Sequence, residues 1–530
     1  MNSPNISNNN LTQIIEQGLI LDVHSTIAVR HKIIKDFNLY YLCLFDDEID
    51  GRLDIFSDVV NKIGSFTTNT MQIARYMQLT DAVILVSESG QITILRGGCC
   101  NFPLYWNINS NNLHISQSLS SSLKNNPVLN LRGLACSIAV VSLQGPYEPN
   151  FSRNTPLADW LRIRRGAVSK FDKQYLVSEE PIQHNIGGFV KCQINENDML
   201  QKLRQALNCY GERQRNNSQY YVEVSGGYDS TIACIGAQQN GCKTTGISVG
   251  FPYYEFRYEE NIQREVAEYL NLTRTVLDGT KLFPFASSAW KPQLDEPAIA
   301  VTGLKNAVEV AQKASSAGAR KILVGHGGDQ LFSSDLNDIE PVYYKLNRRA
   351  FTNTGWGYLS EVMLSLKKGS HWLDRTTGCF VYDARLDMKI KEQYGVVNRT
   401  PFTDLEFFEC GIMWSTFNTL KANYHDKWIL QNAFKDKIPH AISMRKGKAP
   451  YDGVWARAYA AHGSDIATEL DKVASILNHI GFSTKWLMNR VQQLSNWENV
   501  SDREILAAYA IATWLASWDI YEVADVRWQC

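Results

Sequence analysis

The chain lacks any uninterrupted apolar run long enough to cross a bilayer, and its opening MNSPNISNNN lacks the basic-then-apolar layout of a secretory signal. A cytoplasmic protein with no membrane partner is expected. Sequons such as Asn271-Leu272-Thr273 are then chance matches. Net charge is nearly absent as well. The formal value is -1, which gives no global electrostatic grip on nucleic acid. There are 11 cysteines, but no pair has CxxC spacing and none joins a Cys/His cluster. An odd number of scattered thiols reads as free and buried, not as a disulfide framework or a structural zinc site. The GxxxxGK[ST] spacing of a Walker loop is also missing.

What is present is ordinary globular material on a large scale. The 530 residues exceed one ordinary core and imply two or three domains. Hydrophobic residues at 44% and charged residues at 20% leave no room for wholesale disorder. Residues 1–10 are expected to be a disordered tail. From 11 to 195 the pattern is short β-type runs between turn signals: Leu39–Phe45, Ala82–Val86, Gln91–Leu95 and Leu113–Ser116. From 196 to 530 the texture changes. Expected helices at Met199–Arg213, Tyr258–Leu270 and Leu304–Ser315 alternate with expected strands at Gln219–Val224, Thr244–Val249, Leu272–Val276 and Lys321–Val324. Within the second of these helices, Ile262, Val266 and Leu270 make one apolar stripe. Alternation of this kind predicts an α/β fold, a parallel sheet with helices on both faces. Beyond Pro341 the pattern is almost entirely helical.

The most informative string is Val222-Glu223-Val224-Ser225-Gly226-Gly227-Tyr228-Asp229-Ser230. A strand runs into a Gly-Gly turn, and a helix is expected to begin near Asp229. Two glycines let the backbone approach a phosphate, and a new helix aims free N–H groups and its positive end at it. Ser225 and Ser230 add hydroxyl donors. A carboxylate beside phosphates makes sense when a cation lies between them, so Asp229 implies Mg²⁺. About a hundred residues on, Lys321–Val324 leads into Gly325-His326-Gly327-Gly328-Asp329. Two acids at the ends of two parallel strands can share a metal at the carboxyl edge of the sheet.

Ser225-Gly226-Gly227-Tyr228-Asp229-Ser230 resembles the SGGxDS signature of the ATP pyrophosphatase superfamily, whose members cleave ATP to AMP and pyrophosphate while adenylating a substrate oxygen. With Gly325–Asp329 added, the chain is similar to the asparagine-synthetase branch. Gly246–Gly250 is similar to the strand beside the adenine, and Gly395–Asp404 to the family's G-[IV]-E-x-R-x-P-F-L-D stretch, with Val397 in place of its Glu. Lys427-Trp428-Ile429-Leu430 resembles the helix start that precedes the family's catalytic lysine. The resemblance implies Mg²⁺ ligands at Asp229 and Asp329. It implies nucleotide contacts at Val224, Ser225, Gly226, Gly227, Tyr228, Asp229, Ser230, Ser248, Val249, Gly250 and Gly325. It implies a catalytic Lys448 with Arg445, Lys446 being the alternative register. His326 stands where asparagine synthetases have Glu and β-lactam synthetases Tyr, and GHGGD is similar to the string of lasso peptide cyclases. On that resemblance His326 orients or deprotonates the attacking amine, with Asp383 or Asp387 as a partner acid.

Leu95–Trp106 and Leu113–Ser118 resemble a worn version of the glutaminase (Ntn-type) domain that precedes asparagine synthetase domains. No cysteine occurs before Cys43 and residue 2 is Asn2, so the terminal thiol of a working glutaminase is missing; Cys99 and Cys100 fall in a turn and are not catalytic on this reading. A lasso cyclase would adenylate a Glu or Asp side chain of a ribosomal precursor peptide and close a macrolactam with the peptide's own N-terminal amine. A leader-peptide protease of the same pathway would be a partner. The competing readings are an asparagine or β-lactam synthetase on a small amino-acid substrate, a tRNA thiolase, and an inactive scaffold. Asp295-Glu296 reads as a solvated loop in preference to a substrate contact. Trp356, Trp372, Trp414, Trp428 and Trp455 read as core in preference to the wall of a peptide cavity.

Overall fold

A computed structural model describes residues 11–16, 19–24, 29–36, 39–46, 82–86, 91–100, 103–109, 112–125, 127–140, 152–172, 175–181, 195–214, 219–332, 346–369, 384–421, 427–443, 445, 452–496, 502–522 and 525–528. The tail 1–10, Lys446, Lys448, Asp383 and Trp372 lie outside them.

The N-terminal strands form two sheets. One has five strands in the order Leu11–Glu16, Leu19–His24, Asn112–Ser116, Tyr105–Asn109, Leu161–Arg162. The other has six, antiparallel throughout, running from Tyr175–Pro181 to Val29–Asp36. All four strands expected here are present. Alternation explains how the sheets meet: Ala82, Ile84, Ile92 and Ile94 of the six-stranded sheet share one buried cluster with Trp106, Leu113 and Ile115 of the other.

From residue 195 the architecture changes as the alternation of elements predicts. Five parallel strands lie in the order Thr273–Asp278, Lys243–Gly250, Gln219–Glu223, Lys321–Leu323, Val397–Arg399. The strand Gln219–Glu223 shows the period-two logic. Tyr220 and Val222 face one buried cluster with the helices Glu196–Arg213 and Tyr228–Gln239. Tyr221 faces another, with Ala314 of the helix Leu304–Ser316. Helices therefore cover both faces. The expected stripe is buried: Ile262, Val266 and Leu270 all pack inward from the helix Arg257–Tyr269 and its C-cap. The fifth strand was not visible in the helical texture beyond Pro341; its three residues ride on the edge of the sheet beside Lys321–Leu323.

Strand order decides where a ligand can sit. Gln219–Glu223 comes first in sequence, and its neighbours Lys243–Gly250 and Lys321–Leu323 lead the chain to opposite sides. The order reverses between Gln219–Glu223 and Lys321–Leu323. A crevice opens at the carboxyl ends of such a pair, and the two glycine loops are the segments that leave those ends.

The remaining helices share a core with the N-terminal region. Leu134 and Ile138 of the helix Leu131–Val140 join Tyr459, Leu487, Ile505 and Ile511 in one cluster. Trp414 is fully buried and stacks on Trp428, while Trp356 and Trp455 pack against the core. Among the described residues no helix is long and apolar enough to cross a membrane.

Asp295-Glu296 corrects the expectation of a solvated loop. Glu296 is buried and ion-paired with Arg162 of the N-terminal region and with Arg385 at 3.7 Å. Asp295 accepts from Ser118 Oγ at 3.0 Å and from the Leu119 N–H at 2.9 Å. The two acids latch the N-terminal sheets to the parallel-sheet half. Burial pushes the Asp295 carboxyl from 3.8 up to about 6, against the opposing pull of the Leu119 N–H and of Lys389. A raised folded-state value favours the protonated fold. That contribution is full below about pH 4 and is lost as pH rises through about 6, a swing of at most about 3 kcal/mol. Asp295→Asn keeps an acceptor oxygen and removes the charge. Urea unfolding should then show the variant more stable than the parent at pH 7 and the difference fading towards pH 4. A pH-independent difference would contradict the assignment.

Candidate active site

The first loop is built as its sequence dictates. Gly226 has φ +74, a conformation that favours glycine. Gly227 is the N-cap of the helix Tyr228–Gln239, and its carbonyl accepts from Thr231 Oγ1 at 2.8 Å. Ser225 Oγ and Ser230 Oγ are hydrogen-bonded at 3.0 Å, closing the loop on itself. That helix is buried nearly all round, because it lies between the sheet and the helix Glu196–Arg213. The two helices cross where a Cβ on Gly236 would stand 2.7 Å from Leu207, and one on Gly211 would stand 2.3 Å from the Gly236 carbonyl. Along the next strand, Ser248 Oγ donates to the Val224 carbonyl at 2.9 Å, and Val224 N–H donates to Ile247 at 2.8 Å. Val224, Ser248, Val249 and Gly250 thus line adjacent strand ends.

The second loop is pressed against the first. A Cβ on Gly325 would lie 2.7 Å from Asp229 Cβ, and one on Gly328 would lie 2.3 Å from Asp229 Cγ. Gly325 and Gly328 are required because Asp229 occupies that space, and Gly327 has φ +98, a conformation that favours glycine. Asp329 follows in the short helix Gly328–Phe332. Thr400 Oγ1, just beyond the edge strand, donates to the His326 carbonyl at 2.7 Å and ties the loop to the fifth strand.

Asp229 and Asp329 converge on a single cation, and that cation is Lys427. Its Nζ lies 2.5 Å from Asp229 Oδ2 and 2.5 Å from Asp329 Oδ1. The side chain is 8% exposed, Asp229 13%, and Asp329 50%. Burial alone would pull the ammonium's pKa down; the Asp229 and Asp329 carboxylates outweigh it and hold it well above the usual lysine range. The backbone is fitted to this task. Lys427 has φ 56, uncommon for a residue with a Cβ, and its N–H donates to the Phe332 carbonyl at 3.2 Å. A divalent cation suits this oxygen pair for the reason that an ammonium does: both carboxylates point at one spot.

The sequence alone missed this role for Lys427, although the resemblance of Lys427–Leu430 marked the segment. Arg445 was expected to act with the catalytic lysine. In the structure it pairs with Glu259 and donates from Nη1 to the Gly226 carbonyl at 2.6 Å. Asp387 accepts from Asn398 Nδ2 at 2.9 Å. Val397, standing where the family pattern has Glu, is a buried strand residue. Cys99 and Cys100 are fully buried, and burial pushes the Cys99 thiol far above its usual range, so a nucleophilic thiolate is not available there. Cys136, Cys234, Cys242 and Cys410 are likewise buried cysteines. Among the described residues no group of three or more His, Cys, Asp or Glu is placed to hold a metal by itself. Mg²⁺ commonly binds through one or two carboxylates and completes its shell with phosphates and water, a pattern that two converging acids fit.

No curated relative matches the chain. Residues 201–377, which include both glycine loops and both acids, match the family model described as asparagine synthase.

Proposed function

We propose that the chain adenylates a Glu or Asp side chain of a ribosomal precursor peptide and closes a macrolactam with the peptide's N-terminal amine, as lasso peptide cyclases do, releasing AMP and pyrophosphate. The observation that carries the reading is the meeting of Asp229 and Asp329 on one cation at the switch point of a parallel sheet. His326 in the second loop and Val397 on the edge strand favour this branch over asparagine or β-lactam synthetases, because both sit where those enzymes carry other side chains.

In this reading the adenine lies along Val224 and Ser248–Gly250, and the phosphates lie over Ser225–Ser230. Gly226 and Gly227 let the backbone come close, and Ser225 and Ser230 exchange their mutual hydrogen bond for phosphate oxygens. Asp229 and Asp329 would hold Mg²⁺, which when bound would supply positive charge against the phosphates. Lys427, whose Nζ lies between the two acids, would offer its ammonium to the same phosphates. Holding the carboxylate in line with the α-phosphorus turns a bimolecular encounter into a positioned one. Lys448 stabilises the charge of the intermediate formed by amine attack. His326 takes the proton that the amine must lose. The N-terminal region, read as a degenerate glutaminase-type domain, supplies no ammonia.

The test is to incubate the protein with ATP, Mg²⁺ and candidate precursor peptides, then follow nucleotides and peptide mass. The expected result is AMP and pyrophosphate in step with loss of one water from the peptide, with no glutamate formed from added glutamine. ADP in place of AMP would sink the adenylation step. Asparagine formed from aspartate and ammonia would replace the peptide substrate with the small-molecule one.

A further inference from the structure

The pyrophosphate loop is held from outside by a pair of charges that the mechanism above does not use. Glu259 sits in the first turn of the helix Arg257–Tyr269 and is 6% exposed. Its carboxylate accepts from Nη2 of Arg445, whose side chain is equally buried. The other terminal nitrogen of Arg445 donates to the Gly226 carbonyl at 2.6 Å. Two buried charges thus end on one backbone oxygen of the loop.

That oxygen controls a donor. A Cβ on Gly226 would stand 3.0 Å from Ile262 Cγ2 and 3.5 Å from Arg445 Nη1, so the residue is boxed between the helix and the guanidinium. The peptide unit is planar and trans, so the Gly226 carbonyl and the Gly227 N–H point in opposite directions. Fixing the carbonyl on Arg445 aims the Gly227 N–H away from it, to the side of Ser225 Oγ, 3.4 Å distant. That N–H stands at the start of the helix Tyr228–Gln239, among the donors an anion would meet there.

We infer that Glu259 is a positioning residue which, through Arg445, sets the plane of the Gly226–Gly227 peptide so that the loop's donors converge on the pyrophosphate end of the nucleotide. Arg445 then acts on the backbone and not on the reacting atoms. The inference rests on the ATP reading above.

The test compares two probes by calorimetry: the Mg²⁺ complex of AMPCPP, an ATP analogue that resists cleavage at the α–β bridge, and AMP. The proteins are the parent, Glu259→Gln, Arg445→Met and the double variant. AMPCPP binding should weaken on the order of tenfold in each single variant, while AMP binding stays within about twofold. The double variant should lose no more than the worse single one, because either change breaks the same link. It also removes both buried charges together, which keeps a folded protein to measure if one single variant is unstable. Equal losses for the two probes, or unchanged AMPCPP binding in the double variant, would overturn the inference. A parent protein that binds neither probe would overturn the ATP reading itself, an outcome visible before any variant is made.

Discussion

Asp229→Asn is expected to cut pyrophosphate release on the order of a thousandfold or more, equivalent to about 4 kcal/mol of transition-state stabilisation. Asn fills the same volume, so Gly325 and Gly328 still accommodate it at the positions where they touch Asp229. What it loses is charge. One full carboxylate then faces the cation site where two faced it before, and the pyrophosphate leaving group meets a weaker field. The fold should survive, because the helix Tyr228–Gln239 is held by apolar burial along its length. The check is a coupled pyrophosphate assay beside a thermal melt. Near-normal turnover in a folded variant would remove Asp229 from the chemistry.

Lys427→Met should act on stability first and activity second. Its ammonium is the counter-ion for Asp229 and Asp329. Removing one partner of a buried ion pair leaves an uncompensated charge and costs several kcal/mol in the fully buried limit. Asp329 is half exposed and its share is screened by solvent. The net loss should therefore be about 2 kcal/mol. A divalent cation can take the vacated place, so Mg²⁺ should raise the melting temperature of the variant more than that of the parent. Turnover should still fall, because the ammonium is also assigned to the phosphates. Equal Mg²⁺ responses in the two proteins would argue that lysine and metal do not share the acid pair.

The sequence made the local parts of this site readable and left the long-range parts hidden. Ser225–Ser230 could be interpreted because a strand, two glycines and a helix start are contiguous and each residue's job follows from backbone geometry. Gly325–Asp329 could be interpreted for the same reason, although only the structure shows that its glycines make room for the Asp229 side chain. The parallel sheet followed from alternation, and the buried stripe Ile262, Val266, Leu270 from its period. The edge strand Val397–Arg399 escaped because three residues carry no periodicity, and its partner lies far back in the chain. Lys427 escaped because a single lysine at a helix start looks solvated until two acids close on it. Asp295-Glu296 was misread for a related reason: two adjacent acids before a proline look like surface until Arg162, Arg385 and Ser118 are brought to them from other parts of the chain. Arg445 was expected by resemblance to act with the catalytic lysine, yet its contacts with Glu259 and Gly226 are tertiary and could not be read from spacing.

The cation site is the feature on which the ligase account stands, and manganese can report on it directly. Electron paramagnetic resonance of Mn²⁺ titrated into the protein with AMPCPP should show a bound ion coupled to phosphorus in the parent. Affinity should drop by on the order of a hundredfold when either Asp229 or Asp329 is changed to Asn. Bound Mn²⁺ with no phosphorus coupling, or equal affinity in all three proteins, would contradict a shared metal–nucleotide site between the two loops.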